Sequence, residues 1–180
     1  AGTDLLNGGA GTDTVSYSKA TKAINASLTR QTLLKHAEQG ADNYISIENL
    51  IGGSGNDRLE GNASANLLNG RKGADRLIGS AGNDIISGGA GDDSVNGGSG
   101  ADRLTGDSGR DIFVFDAPLG EQDTIVSFVS ADDTLHLDLD AFTQLQQTGV
   151  LNASAFVLGT VSIDDDDRII FDPNTGAMFY

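Results

Sequence analysis

At 180 residues, with a formal charge of −15 and no cysteine, the chain has room for one ordinary domain and holds neither a disulfide scaffold nor a thiol-ligated metal. So acidic a surface repels nucleic acid and anionic membranes and attracts cations, and no apolar run reaches the roughly 18 residues of a membrane-spanning helix. The chain lacks the start of a secretory signal peptide and opens in mid-pattern at Ala1-Gly2-Thr3-Asp4, which reads as a piece of a larger protein.

The first segment, residues 1–51, contains GTDLLN and GGAGTDTVS, which put Asp4 and Asp13 nine residues apart. Apolar and polar residues alternate over Val15–Tyr17, Ile24–Leu28 and Tyr44–Ile47, the period of a half-buried strand. Tyr17–Ile51 therefore reads as a strand-extending insertion. Within it Thr29–Gln39 fits either a helical turn or a loop.

From Gly52 to Val114 the chain is seven consecutive nonapeptides in unbroken register: GGSGNDRLE, GNASANLLN, GRKGADRLI, GSAGNDIIS, GGAGDDSVN, GGSGADRLT and GDSGRDIFV. Position one is always glycine, and position four is glycine except at Ser64. Position six is Asp57, Asn66, Asp75, Asp84, Asp93, Asp102 and Asp111, and position eight is Leu59, Leu68, Leu77, Ile86, Val95, Leu104 and Phe113. Alternation inside this period predicts a three-residue strand with one inward side chain, then a six-residue glycine turn. One buried side chain per unit is too little to offset the backbone entropy of ordering it, so copies must stack. Two nonapeptides per coil predict an all-β parallel β-roll, with the repeats starting at Gly52, Gly70, Gly88 and Gly106 in one stack and those starting at Gly61, Gly79 and Gly97 in the other.

Stacking lines up Asp57, Asp75, Asp93 and Asp111 on one side, and Asp84 and Asp102 on the other, about 4.8 Å apart per coil. Unscreened, these carboxylates repel. A calcium ion between successive turns reverses the sign, because it accepts several carboxylate and carbonyl oxygens in adaptable geometry, and glycine lets the turn aim its carbonyls inward. The same frame places Glu48 at position six and Leu50 at position eight of one further rung, with Glu48 facing Asn66 as a poor ligand. Asp4 and Asp13 fall on opposite stacks, each needing a partner across the insertion or upstream.

The nonapeptides match the GGxGxDxUx calcium-binding signature, and the sequence resembles the RTX repeat family of bacterial proteins exported by type I secretion. The resemblance is strong over Gly52–Val114 and weaker over Gly2–Ser16. It implies several calcium ions, each between a loop and the loop 18 residues on. The implied carboxylate pairs are Asp57 with Asp75, Asp75 with Asp93, Asp93 with Asp111, and Asp84 with Asp102. Turn carbonyls would come from Gly53, Gly55, Gly73, Gly82, Gly89, Gly91, Gly98 and Gly100, with Asp13 as a further ligand. A site joining Asn66 to Asp84 would be weak or empty.

Beyond Val114 the strands lengthen: Ile112–Phe115, Thr124–Phe128, Thr134–Leu139, Ala155–Leu158, Arg168–Phe171 and Ala177–Tyr180, with DPNTG at 172–176 as a hairpin turn between the last two. Residues 115–180 are expected to cap the open end of the roll. The stretch DTIVSFVSADDTLHLD resembles the segment after the repeats in serralysin-type proteases, which implies Asp123 as an additional ligand. The acidic run Asp164–Asp167 reads as a solvated loop.

No catalytic constellation emerges. Gly106-Asp107-Ser108-Gly109 spells a serine-protease motif but lies in phase with the repeats, with only His36 and His136 available as a base; HExxH is absent. Six of the eleven basic residues lie in the repeats, and Arg58 and Arg76 would stack one coil apart on the outer face. That row suits an anionic polysaccharide, as in the similar modules of alginate epimerases, or simply neutralises nearby acids. The expectation is a non-catalytic calcium-binding module of a secreted or cell-surface bacterial protein, folding on export by type I secretion, with binding of an alginate-like glycan as the alternative.

Overall fold

The computed structural model describes residues 4–29, 42–116, 123–129 and 131–138, and the backbone of 156–158, 169–172 and 177–179. Among them there is no α-helix. Two largely parallel sheets face each other. One carries β3 (Asn25–Ser27), β6 (Arg58–Glu60), β8 (Arg76–Ala81), β10 (Ser94–Ser99), β12 (Ile112–Phe115) and β14 (Thr134–Leu137). The other runs from β2 (Thr14–Ser16) through β5 (Asn49–Ile51), β7 (Leu67–Lys72), β9 (Ile85–Ala90) and β11 (Arg103–Ser108) to β13 (Thr124–Val126). The chain is a parallel β-roll, with odd and even repeats in separate stacks as their spacing requires.

Position eight sets the register. Leu59 lies opposite Leu77, then Val95, then Phe113; Leu50 lies opposite Leu68, then Ile86, then Leu104. All eight side chains are 0 % exposed. They make a core one side chain wide per strand, continued by Ala26 at one end and Ile125 at the other. No single repeat could bury its residue without its neighbours.

Apart from β6, the strands of the repeats are longer than the expected three residues. From β7 to β11 each runs six, because the ladder continues through the first half of the turn: Gly98 pairs with Ser80, and Asp107 with Gly89. Pairing needs only the backbone of these positions, which is why side-chain alternation did not reveal it.

The rung at Asn49–Ile51 is present, with Leu50 fully buried. The insertion does more than extend strands. It adds β3, which pairs in parallel with β6, whereas β4 (Asn43–Ile45) pairs with β1 (Leu5–Asn7) in a separate two-stranded sheet. The segment Thr29–Gln39 falls, but for its first residue, outside the described residues, as does Asp164–Asp167.

Each C-terminal strand expectation meets an element: β12, β13, β14, then β15 (Phe156–Leu158), β16 (Ile169–Asp172) and β17 (Ala177–Phe179). β16 and β17 are antiparallel with Asp172 opposite Ala177, as a hairpin requires, and β17 also pairs antiparallel with β13. The turn residues 173–176 lie outside the described set.

Candidate metal centre

The position-six side chains point into the roll at the end of each turn, one residue before the strand. Asp57, Asp75, Asp84, Asp93, Asp102, Asp111 and Asp123 are all buried. What holds each is a backbone donor one coil away. The N–H of Asp57 donates to Asp75 Oδ1, Asp75 to Asp93, and Asp93 to Asp111, at 2.6–2.9 Å. In the other stack Asn66 donates to Asp84, Asp84 to Asp102, and Asp102 to Asp123, at 2.8–2.9 Å. One oxygen of each carboxylate is thereby fixed by a charge-assisted hydrogen bond.

The glycines shape the space beside the other oxygen in two ways. At position one the requirement is room: a methyl on Gly70 would run into Asp75 Oδ2 and the Gly88 carbonyl, and one on Gly79 into Asp84 Oδ2 and the Gly97 carbonyl. At positions two and four it is also conformation. Gly73, Gly82, Gly89, Gly91, Gly98 and Gly100 have φ between 95° and 134°, a left-handed backbone that costs glycine little. Position-four carbonyls then form a column, with Gly55 under Gly73, Gly73 under Gly91, and Gly91 under Gly109. Position two keeps this conformation even where it holds Arg71 (φ 79°), Ser80 (φ 86°) or Asp107 (φ 71°).

In these turns the second carboxylate oxygen is buried without a hydrogen-bond donor. This holds for Oδ2 of Asp13, Asp75, Asp84, Asp93 and Asp111 among the described residues. Each follows a loop with positive φ at positions two and four; for Asp13 these are Gly9 (φ 92°) and Gly11 (φ 122°). A buried carboxylate oxygen with no donor costs several kcal/mol if ionised and unpaired. Burial accordingly pushes the Asp75 carboxyl up to about 6 and those of Asp84, Asp93 and Asp123 to about 7, against the lowering effect of the ladder hydrogen bond. Asp111 shifts the same way, mainly through burial.

Repeating turns that leave anionic oxygens open, with the Gly88 carbonyl bounding the same space as Asp75 Oδ2 and the Gly97 carbonyl that of Asp84 Oδ2, offer an all-oxygen donor set, which fits a hard cation such as calcium. The family model of the RTX calcium-binding nonapeptide repeat matches in four copies, at residues 1–17, 46–77 and 78–113. These are RTX calcium-binding repeats. No curated protein matches the chain significantly. Among the described residues no three acidic or histidine side chains converge on one point.

Several expected site residues stand apart from this pattern. Gly53 and Gly55 lack positive φ, and a methyl on either would meet the backbone of the insertion, at Ala20 and at Lys22–Ala23. Asp57 Oδ2 is not open, since it accepts the Gly53 N–H at 2.6 Å. Glu48 does not offer its carboxylate to Asn66: it accepts the Asp13 N–H at 2.8 Å, and the Asn66 amide donates instead to the Glu48 carbonyl at 2.9 Å.

Two position-six equivalents were missed. Asp42 accepts the Asp4 N–H at 3.0 Å, and Asp133 accepts the Asp111 N–H at 3.0 Å. Each stands two residues before an apolar side chain, Tyr44 and Leu135, the same offset as in the repeats; only the nine-residue spacing was lost. Asp133 is closed, its Oδ2 taking the Val129 N–H at 2.8 Å.

Arg58 and Arg76 do lie opposite each other on neighbouring strands. Arg58 is 3.3 Å from Glu60, and Arg110 is 2.7 Å from Asp92, so both of these arginines pair with nearby acids.

Proposed function

We propose that this chain is a calcium-switched folding module of an exported protein. The observation that carries the reading is the set of buried, donorless Oδ2 atoms on Asp13, Asp75, Asp84, Asp93 and Asp111. Without a cation these turns bury charge that nothing answers; with one, the same oxygens become ligands. Asp75 with Asp93, Asp93 with Asp111, and Asp84 with Asp102 supply the carboxylate pairs, and Asp123 extends the second ladder. Gly73, Gly82, Gly89, Gly91, Gly98 and Gly100 supply the turns whose carbonyls complete the shell. The Asp57–Asp75 pair is weaker, since both Asp57 oxygens already accept N–H groups.

Calcium sites of the extracellular kind, with dissociation constants of about 10⁻⁴–10⁻³ M, are empty at cytosolic calcium and filled outside the cell. The acidic repeats then stay unfolded and exportable inside. Outside, ion binding supplies folding free energy. In this reading residues 1–51 are a partial roll with an insertion, 52–114 the calcium-binding roll, and 115–180 its closing cap, with β17 on β13 covering an edge. The module is non-catalytic, and its partners are calcium and a type I export system of a bacterial cell. Polysaccharide binding has less behind it, because Arg58 is already engaged by Glu60.

Calorimetric titration of metal-stripped protein with calcium tests the assignment. Several equivalents should bind to the parent chain, and fewer to the Asp84→Asn/Asp93→Asn double variant. No heat up to millimolar calcium would sink it.

A further inference from the structure

Three position-six groups at the N-terminal side of the repeats are saturated by the protein itself. Asp42 Oδ1 takes the Asp4 N–H at 3.0 Å, and its Oδ2 takes the Tyr17 hydroxyl at 2.8 Å, which in turn is 2.6 Å from the Tyr44 hydroxyl. Asp57 takes the Ile24 N–H at 2.8 Å on Oδ1 and the Gly53 N–H at 2.6 Å on Oδ2. Asn66 Oδ1 takes the Asn62 N–H at 2.7 Å, while its amide holds the Glu48 carbonyl. None of Gly53, Gly55, Asn62 and Ser64 adopts the positive φ of the open turns.

The insertion supplies much of this saturation. Tyr17 N–H bonds Ile51 O at 2.7 Å, Ser54 N–H bonds Ala20 O at 2.9 Å, and Leu28 N–H bonds Glu60 O at 2.9 Å. The Arg71 guanidinium donates to Ser18 O at 2.7 Å. Residues 17–28 thus lie under the Gly52–Asp57 turn and fill with backbone the place that the preceding coil occupies elsewhere.

We propose that residues 17–28 together with β4, β5, β6 and β7 form a calcium-independent base, on which the calcium-dependent coils from Arg76 onward assemble. The proposal rests on the calcium reading of the open turns. Its physical content is that the first coil of a solenoid has no neighbour to pair with and is the costly one to form. A base closed by N–H and hydroxyl donors presents β6 and β7 in register without needing an ion, so calcium acts only on propagation.

Hydrogen exchange of the full chain, read by peptide mass in chelator and in millimolar calcium, decides it. In chelator, peptides spanning 43–51 and 58–69 should exchange at least about tenfold more slowly than those spanning 76–115, and calcium should protect the latter. Tyr17→Phe should speed exchange at 43–51 in chelator and leave 76–115 unchanged in calcium. If all segments exchange alike in chelator while calcium still protects 76–115, the base is wrong and the calcium reading stands. If calcium protects nothing, both fall. Asp93→Asn, outside the base, provides the control: it should alter the calcium response of 76–115 and leave the exchange of 43–51 and 58–69 in chelator as it is in the parent chain.

Discussion

The backbone N–H of Asp75 donates to Oδ1 of Asp93 at 2.7 Å, eighteen residues along the chain, while Oδ2 of Asp93 is buried with no donor. The two oxygens of one side chain therefore have separate duties. In the folded roll Oδ1 ties neighbouring coils, and Oδ2 is left without a protein donor.

This division separates two substitutions at one position. Asp93→Asn keeps an acceptor for the Asp75 N–H and removes the charge, so calcium binding should weaken by about tenfold or more at the turns on either side while the roll still forms in excess calcium. Asp93→Ala also orphans a buried N–H, adding about 1–3 kcal/mol of destabilisation. Calorimetric titration and thermal melting in saturating calcium would separate the two effects.

Metal-free protein should be more ordered at pH 5 than at pH 8. In the folded roll Asp75 titrates at about 6, and Asp84, Asp93 and Asp123 at about 7, against an ordinary value of 3.8. A carboxyl raised in the folded state binds its proton more tightly there than when unfolded. Its contribution is fully present below about 3.8 and is lost as pH rises through 6 to 7. Calcium competes with these protons, so its affinity should rise across the same window. Circular dichroism of metal-stripped protein between pH 5 and 8 checks the first statement, and a signal independent of pH would contradict it.

Two glycines with the same backbone sign should respond differently to alanine. Gly91 (φ 134°) sits against the Gly73 carbonyl, whereas Gly9 (φ 92°) has nothing within 4 Å of an added methyl. Gly9→Ala should cost about 1 kcal/mol for the strained φ alone, and Gly91→Ala clearly more, since the coils must separate. Conversely, Ser80→Gly at φ 86° should stabilise the calcium-loaded roll by a few tenths of a kcal/mol or more. Melting temperatures of the three variants in calcium give the ranking.

The sequence was legible where contacts repeat. Leu59, Leu77, Val95 and Phe113 share a stack because each meets its neighbour 18 residues away, so spacing alone specified both the core and the carboxylate ladders. Legibility ended where the partner is not periodic. Asp4 meets Asp42, and Asp13 meets Glu48, across an insertion of irregular length. Nothing in local pattern tells that β3 will take the place on β6, or that Tyr17 will reach Asp42. Asp133 was lost when 22 residues replaced 18 between coils. The closing of Asp57 by Gly53 also escaped, because an open and a closed turn differ in φ at positions whose residue types are the same.

The most direct test of the central claim is far-UV circular dichroism of metal-stripped chain titrated with calcium, and in parallel with magnesium. The account predicts a cooperative gain of β-sheet signal with calcium, on top of a smaller signal already present in chelator, and little response to magnesium, whose smaller octahedral shell suits these adaptable turns poorly. A chelated chain that already shows its full β signal, unchanged by calcium, would contradict it.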